Sequence, residues 1–243
     1  MKARSIYGKS PEEIKAALKA AISDDFMPTL AIVFISIKQD RKAVSEILAA
    51  LDIDVFGATS CGEFVDGHQS KGEIAILLMD LSRDSYAIVF ENMGARSIQA
   101  AAKQVASSAI AERENSHEIL IKSPMNIDRE ENALVMDMEM KEGETFWFSV
   151  PPDFDIVEEI IDEAKEVKKA AGGDADALLV FSCAGREPAL GPLVSMENEG
   201  LAEVWKSPMA GFFTYGEFGR AKNGQQHVHS TACCWVALKE KSN

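Results

Sequence analysis

Two short stretches place chemically capable side chains at the ends of apolar runs. Gly57-Ala58-Thr59-Ser60-Cys61-Gly62-Glu63-Phe64 and Gly211-Phe212-Phe213-Thr214-Tyr215-Gly216-Glu217-Phe218 share the pattern G-x-x-[ST]-x-G-E-F. A strand running into Gly-Glu is expected to turn tightly, because glycine takes positive φ without strain. The glutamate then stands at a strand end, where α/β proteins often place ligand-binding groups. There, Glu63 and Glu217 could accept a ligand ammonium, or they could cap backbone donors of the turn. Ser182-Cys183-Ala184-Gly185-Arg186 follows a third apolar run. A guanidinium at that position suits a carboxylate or phosphate bidentately, or pairs with one of the 39 acidic residues.

Other candidates are less directed. Cys183 would act as a nucleophile only with a base or positive charge nearby, for which His227, His229 and Arg186 are in supply. Otherwise it is an inert thiol at a strand end. His227 and His229 are two apart and share one face of a strand. Such a pair can bind a transition metal or a haem iron, or simply face solvent on an edge strand, since no third ligand is evident. His68 and His117 stand alone. Phosphate-loop, dinucleotide, zinc-protease and hydrolase-elbow signatures are all missing. Glu12-Glu13, Glu130-Glu131 and Glu158-Glu159 lie on polar helix faces or turns and read as solvated surface. No enzyme chemistry stands out, and the chain reads as a non-enzyme.

The elements that must position these residues come in a repeated order. Ser10–Asp24 has apolar residues at helical spacing, opened by Ser10, Pro11 and Glu13 in a capping box. A buried strand is expected over 29–37, a helix over 41–51 and a second strand over 53–60. Residues 74–81 and 86–90 suggest a hairpin joined at Ser82-Arg83-Asp84. The second half repeats the plan. A helix over 156–171 ends at Gly172-Gly173, and a buried strand over 177–183 follows. A loop at 186–191 and a helix between Pro192 and Trp205 come next. A strand over 207–215 and a long final strand over 227–238 close the chain. Between the halves, 95–113 reads as helix, and 118–122, 133–138 and 145–150 as strands. Turns are expected at Asn126-Ile127-Asp128 and Glu142-Gly143-Glu144. The implied fold class is α/β with mixed α+β sheets. It consists of two pseudo-repeated helix-strand-helix-strand-strand units, 1–112 and 113–243, packed against each other with a cleft between.

Composition narrows the function. The 243 residues carry 25 Lys and Arg against 39 Asp and Glu, a net charge of −14. So acidic a chain is a poor match for nucleic acid or an anionic membrane surface. No apolar run reaches the roughly 18–20 residues of a spanning helix. The basic start leads into Ser10-Pro11-Glu12-Glu13 rather than an apolar core, so a secretory leader is not expected and a cytoplasmic location is. The four cysteines, Cys61, Cys183, Cys233 and Cys234, form no CxxC and are expected to be reduced.

The motifs together resemble the FIST family. Phe181–Arg186, Gly211–Phe218 and His229-Ser230-Thr231 before a closing apolar strand resemble its C-terminal module, as do Lys122-Ser123-Pro124-Met125 and Met140-Lys141-Glu142-Gly143. Ala31-Ile32-Val33-Phe34 and Gly57–Phe64 resemble its N-terminal module, and the middle is abbreviated. The resemblance implies a sensory, signal-transducing module that binds a small ligand such as an amino acid and passes its signal to a separate protein. Cys61, Glu63, Cys183, Arg186, Tyr215, Glu217 and His229 would line its site. Haem is the alternative cofactor that the resemblance brings in; otherwise no cofactor is expected.

Overall fold

Strand β2 (Leu30–Ser36) reads LAIVFIS and is buried at every position. A strand with no polar face must be covered on both sides. That requirement organises the molecule, a computed structural model describing residues 1–86, 88, 124–131, 133–136, 140, 142–143, 155–220, 226–229 and 231–240. β2 lies in a four-stranded sheet of order β1-β6-β2-β3, with β1 Lys2–Gly8, β3 Asp54–Ser60 and β6 Ile74–Asp80. On one face, α1 (Pro11–Ala21) and α2 (Arg41–Ala49) set Ile14, Leu18, Val44 and Leu48 against Val33, Ile35, Ile76 and Leu78. Ser10 caps α1 as its sequence predicts, accepting from the Glu13 N–H, while the Glu13 carboxylate accepts from Lys9 N–H.

The other face meets a second sheet of order β13-β9-β10-β4-β5. Its strands are β4 Glu63–Val65, β5 His68–Ser70, β9 Ala177–Cys183, β10 Met209–Thr214 and β13 Cys233–Leu238. Leu30, Ile32, Phe34, Leu77 and Met79 pack there against Val65, Ala177, Ala210, Phe181 and Phe212. The Phe34 ring lies 4.6 Å from Phe212 and 6.1 Å from Phe181. Fully burying such side chains contributes about 1.5–3 kcal/mol each. The far face of the second sheet carries α3 (Ile156–Ala170) and α5 (Val194–Trp205). There Ala164, Val194, Leu201 and Trp205 cover Leu178, Val180, Met209 and Phe213. The result is an α/β architecture of four layers: helices, sheet, sheet, helices. Among the described residues, no helix is long and apolar enough to cross a membrane.

The two sheets share a strand arrangement. β6-β2-β3 and β13-β9-β10 each place a parallel pair beside an antiparallel closing strand. Registers correspond as well: Val33 faces Gly57 and Val180 faces Gly211. The first glycine of each G-x-x-[ST]-x-G-E-F stretch is needed there for space. A Cβ at Gly57 would sit 2.1 Å from the Val33 carbonyl oxygen; one at Gly211 would sit 2.4 Å from that of Val180 and 2.1 Å from the Phe64 ring. The second glycines behave differently from expectation. Neither Gly62 nor Gly216 has positive φ. Gly62 is small because the Phe213 ring stands 2.8 Å from where its Cβ would be, and Gly216 faces open space.

Several sequence expectations need correction. β6 pairs with β1 and β2, residues 83–85 make a 3₁₀ turn, and most of the hairpin partner expected over 86–90 lies outside the described residues. β1 was hidden by Lys2 and Arg4. The predicted strand over 227–238 is two, β12 (Gln226–His229) and β13, because Thr231 takes φ +61° between them. β12 pairs instead with β11 (Glu217–Arg220). The loop at 186–191 holds a short helix, α4 (Arg186–Leu190). Asn126–Asp128 lies in β7 (Pro124–Asp128), which pairs with β8 (Ala133–Met136). The helix expected over 95–113, the strands over 118–122 and 145–150, His117 and the boundary at 112/113 lie outside the described residues.

The glycine geometry gives a direct test. Gly211→Ala should lose about 1–3 kcal/mol or more, because both the Phe64 ring and a backbone carbonyl must move. Gly216→Ala should stay within about 0.5 kcal/mol. Urea melts of the two variants check this; equal losses would mean the tight contact at Gly211 does not exist.

Candidate functional site

β4 crosses from the first bend to the second sheet and pairs antiparallel with β10, Glu63 facing Phe212 and Phe64 facing Gly211. The first Gly-Glu bend therefore lies against the strand that feeds the second. Phe213 N–H donates to the Gly62 carbonyl at 2.9 Å, and the Cys61 thiol donates to the Phe213 carbonyl at 2.9 Å. A two-residue turn, Asp66-Gly67, returns the chain into β5 with both φ values positive, +46° and +86°. That is the backbone a tight hairpin needs, and Asp-Gly supplies it. The Asp66 carboxylate also accepts from Met209 N–H at 2.7 Å and from the Ser5 hydroxyl, tying the turn to β10 and β1.

The acidic and basic residues expected to face a ligand are mostly turned inward. Glu63 is 1% exposed. Its carboxylate accepts from the Ser60 hydroxyl, from Gly72 N–H at 3.0 Å and from Glu73 N–H at 3.1 Å. Holding the 71–73 loop, rather than facing a cleft, is what this geometry has it do. Arg186, expected as an anion contact, is 5% exposed and is claimed by Glu197. Its Nε donates to Glu197 Oε2 at 3.1 Å and its Nη2 to the same carboxylate. Nη1 donates to the Thr231 carbonyl at 3.0 Å, and the Ser182 hydroxyl donates to Glu197 Oε1 at 3.3 Å. The expected cleft between the units is likewise occupied, by the apolar seam around Phe34, Phe181 and Phe212.

Glu217 is 1% exposed and stands beside Cys183 and Cys234. His229 and His227 face Glu217 and Gly219 across the β11–β12 ladder. Their side chains lie outside the described residues. Among the described residues, no group of three or more His, Cys, Asp or Glu could hold a metal ion. Among the expected residues whose side chains are described, Tyr215 and Cys61 reach the surface, Tyr215 at 85% exposure. Beside them runs an ion pair that sequence reasoning missed: Lys71 Nζ to Glu187 Oε1 at 2.6 Å. It links the loop held by Glu63 to α4, and the bond to Glu187 raises the lysine pKa.

Glu197 was also missed, though a signal existed. It lies three after Val194 and four before Leu201, on the apolar stripe of α5, where an acid must find a buried partner.

The four thiols share one property. Burial of the sulfur pushes each above its ordinary range, Cys233 well above and Cys234 to about 11. Neighbouring carboxylates add to this, Glu217 at Cys183 and Cys234, and Glu197 at Cys233. A raised thiol pKa means less thiolate at neutral pH and a weaker nucleophile. Iodoacetamide labelling of the folded chain at neutral pH should therefore show no cysteine faster than free cysteine; one that outruns it would sink this reading. The buried ion pair gives a second expectation. Arg186→Ala should lose about 3–5 kcal/mol, while Arg186→Met with Glu197→Met should lose less than either single change. Denaturant melts of the three variants decide it.

The comparisons agree with the motifs of the second half. A family model described as FIST C domain matches residues 84–220, more than half of the chain. The matched span holds Cys183, Arg186, Tyr215 and Glu217, and leaves out the first bend and His229. No curated protein matches the chain. On the extent of that match, with the second bend and the Arg186–Glu197 pair inside it, the chain belongs to the FIST C domain family, a family of sensory domains.

Proposed function

We propose that this chain is a non-catalytic, small-ligand-binding sensory module that works in the cytoplasm and passes its signal to a separate protein. We further infer that it is built from a duplicated unit, which the shared strand order and the Val33–Gly57 and Val180–Gly211 registers support. The ligand site in this reading is the rim where the two Gly-Glu bends meet, rather than the filled seam beneath it. The observation that carries the proposal is the convergence of Cys61, Lys71, Glu187 and Tyr215 at that rim. Cys61 is bonded to the strand entering the second bend, and Lys71 is paired to Glu187 on α4.

An α-amino acid is the ligand class this rim suits. Its carboxylate matches Lys71 and its ammonium matches Glu187, so the ligand can exchange for the existing ion pair without stranding either charge. Both groups are solvent-reached, with side chains 62% and 29% exposed. Glu63, Arg186 and Glu217 would shape the rim from behind. Ligand entry would then separate the 71–73 loop from α4, a movement a partner protein could read.

Isothermal calorimetry against a panel of amino acids should find at least one binder, weakened about tenfold or more by Lys71→Ala and by Glu187→Gln. A panel with no binder, or a binder indifferent to both substitutions, would defeat this assignment.

A further inference from the structure

We propose that the outer edge of β3, which no described strand pairs, is a self-association surface whose occupant is the β3 edge of a second copy of this chain. The two edges pair antiparallel about a twofold axis at Gly57. Among the described residues, β3 closes one end of the four-stranded sheet, with β2 as its neighbour. The opposite end, β1, carries Lys2 and Arg4, charges that discourage a further strand. Past Asp54 at its start, β3 lacks any such device. From Val55 to Ser60 it has neither charge nor proline, and Phe56, Gly57, Ala58 and Thr59 are exposed. Phe56 is 54% exposed, and the helix side of the edge is a groove with Val33, Ile35, Val44 and Val55 in its lining and Arg41, Ser45 and Thr59 beside them.

The register follows from the sequence of the edge. Centring the twofold on Gly57 sets Phe56 opposite Ala58 of the second copy, Val55 opposite Thr59, and Asp54 opposite Ser60. A bulky side chain thus meets a small one on one face of the joined sheet. Charge points to the same pairing. Arg41 is exposed and lines the groove beside Ala58 and Thr59. At the other end of β3, Asp52 and Asp54 share the single guanidinium of Arg83, which leaves one negative charge over. Antiparallel pairing brings the Arg41 end of each copy to the Asp52–Asp54 end of the other; parallel pairing would set like against like. Local complementarity matters in a chain of net charge −14, whose copies repel over most other approaches. This inference is independent of the ligand site, which lies on other residues.

Sedimentation equilibrium of the full chain over a concentration series tests it. The mass should rise to twice that of the chain. Ala58→Lys should weaken the association about tenfold or more without lowering the melting temperature. Arg41→Glu should weaken it too, and Arg41→Glu with Asp52→Lys should restore it; both positions are exposed, so folding is not at issue. A monomer at every concentration overturns the proposal, including one that uses this edge to hold a different chain. So does a dimer indifferent to Ala58→Lys, or a charge exchange that restores nothing.

Discussion

The apolar seam between the two sheets is the constraint on which the rest of the molecule depends. Phe34 against Phe181 and Phe212 fixes how the sheets face each other. Once they face, both outer surfaces must be covered by helices. The seam also explains why β4 leaves its own sheet. Val65 belongs to the apolar filling of the seam and Phe64 to the core on the opposite face of the second sheet. Only a strand paired with β10 can present both at once, since side chains alternate across a strand.

That crossing decides the chemistry of the bends. Because the first bend is pinned to β10, Glu63 is carried inside, where its carboxylate must be satisfied by N–H and hydroxyl donors rather than by a ligand. Arg186 follows the same logic on the helix side. A buried guanidinium cannot remain unmatched, and Glu197 and the Thr231 carbonyl supply its partners. The left-handed Thr231 that ends the ladder of β12 thus also delivers a carbonyl to the arginine. Lys71, Glu187, Cys61 and Tyr215 are left at least partly exposed.

Much of the fold could be read in the residues, and the reasons are local. β9 is a continuous apolar run bounded by polar residues, and α1 carries its own capping signals. β1 escaped notice because Lys2 and Arg4 look like solvated surface; its strand character comes from pairing with β6, seventy residues away in sequence. For Glu63 and Arg186 the sequence left an inward partner and a ligand as open alternatives, and could not choose between them. A carboxylate at a strand end looks the same in sequence whether it meets a ligand or a backbone amide. Only the Asp66-Gly67 turn, which sends β4 back along β5, carried a hint of the crossing, and its meaning depended on finding β10 alongside.

The route of β4 has a consequence for how the family match maps onto this molecule. The matched span begins at residue 84, after β4 and β5 have already been supplied. A fragment cut to that span would leave β10 with a bare flank and the Phe213 ring without Phe64 beside it. Here the border traced by shared ancestry and the border traced by hydrogen bonding fall in different places. A single short hairpin is lent by one half to complete the other.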